Sequence, residues 1–228
     1  MDVIINEFID LMFDKYDMLG CFITGSYING NMMPNSDIDL FFVSEELNFR
    51  GRTYYRNIEF EYFVSPEKSY LTRLEKDLVS QQIYSSATIL RDSNNILEGI
   101  QKTAREFVDN KTFNFNYREQ IDLSFYIDTI MKDGIDLLLN NNLHQFYYFA
   151  GLHIPKFTDI LCKSVNKYPL YEKNSLDKLK SINENYYNEL NSLYGSINTE
   201  TKLSHWIKLC EILLKSLGNH DVKEYCAI

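Results

Sequence analysis

Apolar and polar positions along this chain follow two rhythms, one helical and one extended. Val3, Ile4, Phe8, Leu11 and Met12 recur at helical spacing, so residues 2–17 read as an amphipathic helix with one buried face. Leu19 to Thr24 is a short apolar run ending in Gly25-Ser26, the pattern of a buried strand closed by a tight turn, with a short helix predicted over 27–33. Residues 37–43, Asp-Ile-Asp-Leu-Phe-Phe-Val, follow the turn composition Pro34-Asn35-Ser36 and predict a second strand. The chain is expected to reverse around Arg50-Gly51-Arg52, with Thr53 to Val64 as a longer strand pairing with it. Ser65 caps and Pro66 opens a helix predicted to run to the low eighties. A strand over 86–91 and a helix over 96–108 complete this half.

Beyond a polar join near 109–116 the extended rhythm stops. Long helical patterns take over at about 118–139, 143–166, 174–194 and 199–217, with Pro155 expected to kink or divide the second. The predicted fold class is α+β: a small mixed sheet with flanking helices over residues 1–110, then a C-terminal helical bundle over 111–228. With 228 residues, 45% of them hydrophobic, and 17 Tyr and 15 Phe, the chain can bury a substantial core.

Charge narrows the chemistry. Most of the net charge of −9 sits in the first half, where residues 1–110 carry 18 acidic and 10 basic side chains. No cluster of Lys and Arg offers the phosphate-neutralising surface that a nucleic-acid template needs. Cys21, Cys162, Cys210 and Cys226 lie far apart without CxxC or zinc spacing and read as reduced thiols, mostly in the core. No signal-like N-terminus and no apolar run of membrane-spanning length is present, so a cytoplasmic location without membrane partners is expected.

The informative stretch runs from Gly25-Ser26 to Asp37-Ile38-Asp39-Leu40. On a strand, Asp37 and Asp39 share a face while Ile38 and Leu40 point the other way into apolar packing. Two carboxylates this close repel unless a cation joins them. Glu59 and Glu61 repeat the alternation on the next predicted strand, where pairing would bring a third acid to the same place. Three carboxylates form a hard oxygen-donor pocket suited to Mg²⁺, and a metal pair there serves in-line phosphoryl displacement. Gly25 and Ser26 provide a close backbone approach, a hydroxyl donor and N–H groups for phosphate.

A Gly-Ser turn, about ten residues, and then Asp-hydrophobic-Asp on a strand resembles the signature of the polymerase-beta nucleotidyltransferase superfamily, over roughly residues 18–108. The chain looks like its small bacterial members, the aminoglycoside and lincosamide nucleotidyltransferases. That resemblance implies a sheet domain of the nucleotidyltransferase type, an NTP co-substrate with ATP the expected donor, and Mg²⁺ held by Asp37, Asp39 and a third acid. The third acid acts as ligand or base; Ile58-Glu59-Phe60-Glu61-Tyr62 fits the pattern twice, with Glu61 preferred over Glu59. Gly25 and Ser26 would bind the nucleotide. The implied reaction moves an NMP to a hydroxyl of a small acceptor, an aminoglycoside-like antibiotic being one candidate, and the acceptor would sit between the sheet and the helical half. A protein-modifying (AMPylating) transferase of toxin-antitoxin type and a non-catalytic nucleotide-binding regulator are the alternatives. Oligomeric state and base preference stay open.

Other polar residues carry weaker signals. Arg50, Arg52, Arg56, Arg73 and Arg91 are candidates for the triphosphate, each with surface charge as its plain reading. Asp122 and Asp128, on the first helix of the second half, are candidates for activating the acceptor. The four histidines have no metal spacing and receive no role, while Tyr147-Tyr148-Phe149 and Trp206 read as core.

Overall fold

The computed structural model describes residues 1–30, 32–171 and 175–222. It divides into two compact units, Met1–Lys111 and Thr112–Ile228. Cys226 lies outside the described residues, as does Asn31 of the informative stretch.

The first unit is built on five strands: β1 (Met18–Thr24), β2 (Ile38–Ser44), β3 (Phe49–Tyr55), β4 (Ile58–Pro66) and β5 (Thr88–Asp92), in spatial order β3-β4-β2-β1-β5. β2 and β4 are parallel, and the remaining neighbours are antiparallel. The chain leaves β2, runs out along the edge strand β3, and returns as β4 in the gap between them. Helix α1 (Asp2–Lys15) covers one face of the sheet, where Ile5, Phe8, Ile9 and Met12 pack on Ile23, Ile38, Leu40, Phe42, Phe60 and Val64. The opposite face is covered by α2 (Glu67–Lys76), α3 (Leu78–Ser86) and α4 (Ile96–Asn110), whose Tyr70, Leu74, Tyr84, Leu97 and Ile100 pack on Phe22, Phe41 and Val43. The period-2 pattern of β2 thus splits its side chains between two cores.

Three local expectations are corrected. The predicted strand over 53–64 is instead the two strands of a hairpin: the chain turns at Arg56-Asn57, not at Arg50-Gly51-Arg52. Both turn residues have positive φ, 47° and 65°, as a two-residue hairpin turn demands. An arginine at the first position hides that signal, and it is held by Glu7 at 3.0 Å and by the Tyr55 ring. The helix predicted from 66 to the low eighties breaks at Asp77, which leaves helical geometry and caps α3 by accepting from the N–H groups of Val79 and Ser80. Residues 26–30 form turns, not a helix, closed by two long bonds of 3.4 Å, Asn29 N–H to the Gly25 carbonyl and Gly30 N–H to that of Tyr27. Gly30 at φ 68° stops helical propagation.

The second unit is helical: α5 (Tyr117–Leu139), α6 (Leu143–Ser164), α7 (Ser175–Ile182), α8 (Glu184–Gly195) and α9 (Thr199–Ser216). α6 runs through Pro155 without dividing. The pattern over 174–194 divides at Asn183, whose side chain caps α8 on the Tyr186 N–H. Trp206 is fully buried at the centre, with its indole N–H donated to the Met131 carbonyl at 3.0 Å and its ring against Gly134. Tyr147 and Tyr148 depart from the core expectation and are 37% and 66% exposed. Lys202, 1% exposed, caps the end of α8 by donating to the carbonyls of Leu193 and Ser196. No helix among the described residues is long and apolar enough to cross a membrane.

Two stability predictions follow from this packing. A Cβ at Gly134 would stand 2.3 Å from Trp206 Nε1, so Gly134→Ala should destabilise the chain by about 1–3 kcal/mol in urea unfolding; an unchanged midpoint would contradict the packing. His153 Nδ1 and the Tyr126 hydroxyl share a hydrogen bond of 2.7 Å, and burial followed by the Lys156 charge lowers the His153 pKa, against the opposing field of Asp133. The unfolded chain therefore takes up this proton first as pH falls through the ordinary histidine value, about 6.5, so the contribution to stability is present above that value and is lost towards the lowered one. Acidification through that window should cost the parent more stability than His153→Gln, and equal losses would refute the linkage.

Candidate functional site

The parallel pairing of β2 with β4 sets Asp39 directly beside Glu61. Two residues further along both strands, Phe41 stacks on Phe63 with ring centroids 4.6 Å apart, and on Phe22 of β1 at 5.2 Å. One row of the sheet is thus Phe22, Phe41 and Phe63, and the next row on the same face is Thr24, Asp39 and Glu61. The aromatic row is packed under α2 to α4, and the carboxylate row emerges just beyond it. The carboxylates are held in register by the same alternation that buries the phenylalanines.

Asp37 joins them from the residue before β2. Ser36, buried, accepts the Met33 N–H at its hydroxyl and donates its own N–H to the Met33 carbonyl, both at 2.9 Å, closing the turn that delivers the chain to Asp37. Asp37, Asp39 and Glu61 each offer a carboxylate oxygen within 4.8 Å of the others, and all three are half-buried. An octahedral ion with ligands at about 2.1 Å spaces its oxygens about 3 Å apart when adjacent and about 4.2 Å when opposite, so three carboxylates grouped this closely could serve as part of the ligand set of a divalent cation.

Glu59 shares the face of Glu61 but not its company. β2 begins at Ile38, so no residue of β2 stands in register with Glu59. Its carboxylate instead accepts from Arg52 at 3.0 Å and from the Tyr54 hydroxyl at 2.9 Å, a bond that raises the Tyr54 pKa. Of the two glutamates left open by the sequence, the structure groups Glu61 with the aspartates.

Gly25 ends β1 with φ 81°, and a Cβ built on it would lie 2.3 Å from Asp39 Oδ2. This position needs glycine twice, for the left-handed backbone and for the carboxylate that lies against it. Ser26 follows in the turn. Tyr27 is fastened to the start of α1 by its hydroxyl bond to Asp2, and Ile28 packs on the core beneath, so the loop is anchored on both sides.

The other candidates are dispersed. Arg56 pairs with Glu7 and Arg91 with Asp10, while Arg73 lies over the Tyr70 ring near the hydroxyls of Tyr84 and Ser65. Arg50 is the exception, because it pairs with Glu61 itself. Asp122 lies 3.9 Å from Arg118 and Asp128 lies 2.5 Å from Lys132, each one helical turn away along α5. Cys21, Cys162 and Cys210 are buried free thiols, and burial pushes the Cys162 pKa up to about 11. Thr24 was missed in the sequence, although its place just before Gly25 and an antiparallel β1–β2 pairing would have put it opposite Asp39.

Residues 5–102 match the family model of the nucleotidyltransferase domain. That span holds Gly25, Ser26 and all three grouped carboxylates, and it supports nucleotidyl transfer as the general activity of this unit. Among solved structures, the chain is similar to a nucleotidyltransferase-like protein from Exiguobacterium sibiricum 255-15, at 16% identity and a TM-score of 0.47, over 87% of this chain and 69% of that one. No curated protein matches the chain.

The close approach of Gly25 to Asp39 can be tested at that one position. Gly25→Ala should cost at least about 1–2 kcal/mol of stability from the left-handed backbone alone and should displace the Asp39 carboxylate. Urea unfolding measures the first, and a stability equal to the parent's would contradict the geometry.

Proposed function

We propose that this chain is a Mg²⁺-dependent transferase that moves a nucleoside monophosphate from an NTP, with ATP the expected donor, to a hydroxyl of a small acceptor, releasing pyrophosphate. One observation carries this reading: Asp37, Asp39 and Glu61 converge within 4.8 Å inside the span that matches the nucleotidyltransferase domain.

Asp37, Asp39 and Glu61 would hold the divalent cation, which supplies Lewis acidity and charge neutralisation to the phosphates. Gly25 and Ser26 would bind the phosphate tail beside them: the glycine lets backbone approach the phosphates closely, and the serine hydroxyl donates to an oxygen. Glu61 fixes the third corner of the ligand set through its pairing with Asp39, and Thr24 closes the row on the other side. The reaction forms a bond between the acceptor oxygen and the α-phosphorus, breaks the bond to pyrophosphate and releases the acceptor's hydroxyl proton, and the protein contributes positioning and electrostatics more than covalent chemistry. An acidic site favours a cationic acceptor, which keeps aminoglycoside-like molecules among the acceptors to try first. A cytoplasmic setting, where NTPs and Mg²⁺ are abundant, suits this chemistry.

The test is pyrophosphate release from each NTP with Mg²⁺ across a panel of aminoglycosides, lincosamides and protein acceptors. Asp37→Asn, Asp39→Asn and Glu61→Gln should each lower turnover at least about a hundredfold, some 2.7 kcal/mol of barrier, while Glu59→Gln stays within about threefold of the parent. Release that survives loss of both aspartates would refute the assignment.

A further inference from the structure

Arg50 stands out from the other arginines because its partner is one of the three converging carboxylates. It lies on the edge strand β3, in register with Phe63, and its guanidinium sits 5.0 Å from the centre of that ring. From there it leans one row along the sheet, and its Nε donates to Glu61 Oε1 at 2.7 Å while Nη2 donates to the same oxygen. The Arg50 side chain is 64% exposed and that of Glu61 13%, so the cation reaches in from the solvent edge. The neighbouring pair has the same form without the consequence: Arg52 takes Glu59, which stands outside the converging group.

Three carboxylates within 4.8 Å repel one another, and a positive charge bonded to one of them relieves that repulsion. We infer that Arg50 is the built-in counter-cation of the Asp37–Asp39–Glu61 cluster, competing with the divalent cation for Glu61 and thereby setting the affinity of the site for metal. The inference rests on the metal-site reading above and adds its regulation. Arg50 is a positioning residue in this account: it acts through Glu61, and the strength of its effect follows from charge. A divalent cation entering the cluster meets a fixed positive neighbour, so the site binds bare metal more weakly than three carboxylates alone would. Discrimination then favours a cation that arrives with the negative phosphates of a nucleotide. The three guanidinium N–H groups not given to Glu61 among the described residues lie at the solvent edge and are suited to those phosphates.

The experiment is titration of the intact chain with Mn²⁺ alone, followed by electron paramagnetic resonance of the free ion, for the parent, Arg50→Gln, Arg50→Lys and Asp39→Asn, with circular dichroism to establish that each variant folds. Arg50→Gln is expected to bind Mn²⁺ about three- to tenfold more tightly than the parent, with the difference shrinking as salt is raised, and Arg50→Lys, which keeps the charge, is expected to stay near the parent. Equal or weaker binding by a folded Arg50→Gln overturns the proposal and leaves the metal site standing. Parent binding that is absent, or unaffected by Asp39→Asn, overturns the metal-site reading and this proposal with it.

Discussion

The site depends on one pairing, the parallel register of β2 and β4 that sets Asp39 beside Glu61. Parallel neighbours hold their side chains in matched rows, so the register that stacks Phe41 on Phe63 also brings the two acids together one row further on. A one-residue slip of either strand against the other would turn its phenylalanine out of the core and carry its carboxylate to the opposite face, away from its partner. Burial of a large aromatic row therefore fixes the positions of charges that would repel one another if left to themselves. Hydrophobic packing, strong and non-directional, does the holding; the carboxylates, costly to assemble, are held.

The surrounding elements act on that constraint from two sides. Gly25 lets the end of β1 close against the Asp39 carboxylate, and the Ser36 turn fixes where Asp37 enters. From the edge strand, Arg50 and Arg52 each choose a different glutamate, so two acids on one face and two residues apart have different environments. Only Glu61 falls within the converging group, and the difference arises from where β2 begins, since Glu59 has no partner in register on that strand.

Much of this was legible in the sequence, and the reasons are specific. The alternation Asp37-Ile38-Asp39-Leu40 placed two acids on one face, and Gly25-Ser26 marked the end of β1, because period-2 patterning and glycine punctuation are local signals. The α+β class followed from the change of rhythm near residue 110. What stayed hidden was non-local or atypical. The choice between Glu59 and Glu61 depends on a parallel register with a strand that is not next in sequence. The hairpin turn at Arg56-Asn57 uses an arginine in the left-handed region, stabilised by Glu7, where a glycine would have announced it. The breaks at Asp77 and Asn183 are caps inside patterns that read as continuous helix, because a capping side chain competes locally with a periodicity that runs on past it.

We propose that Asp37, Asp39 and Glu61 form a divalent-metal centre next to a phosphate-binding turn at Gly25-Ser26. It is tested most directly by a crystal structure of the chain with Mn²⁺ and a non-hydrolysable NTP analogue, with the metal located by anomalous scattering. The expected result is a manganese peak ligated by Asp37, Asp39 and Glu61, with the triphosphate on Gly25 and Ser26 and Glu59 still on Arg52. A peak ligated by Glu59 in place of Glu61, or a bound nucleotide with no metal among these three carboxylates, would contradict it.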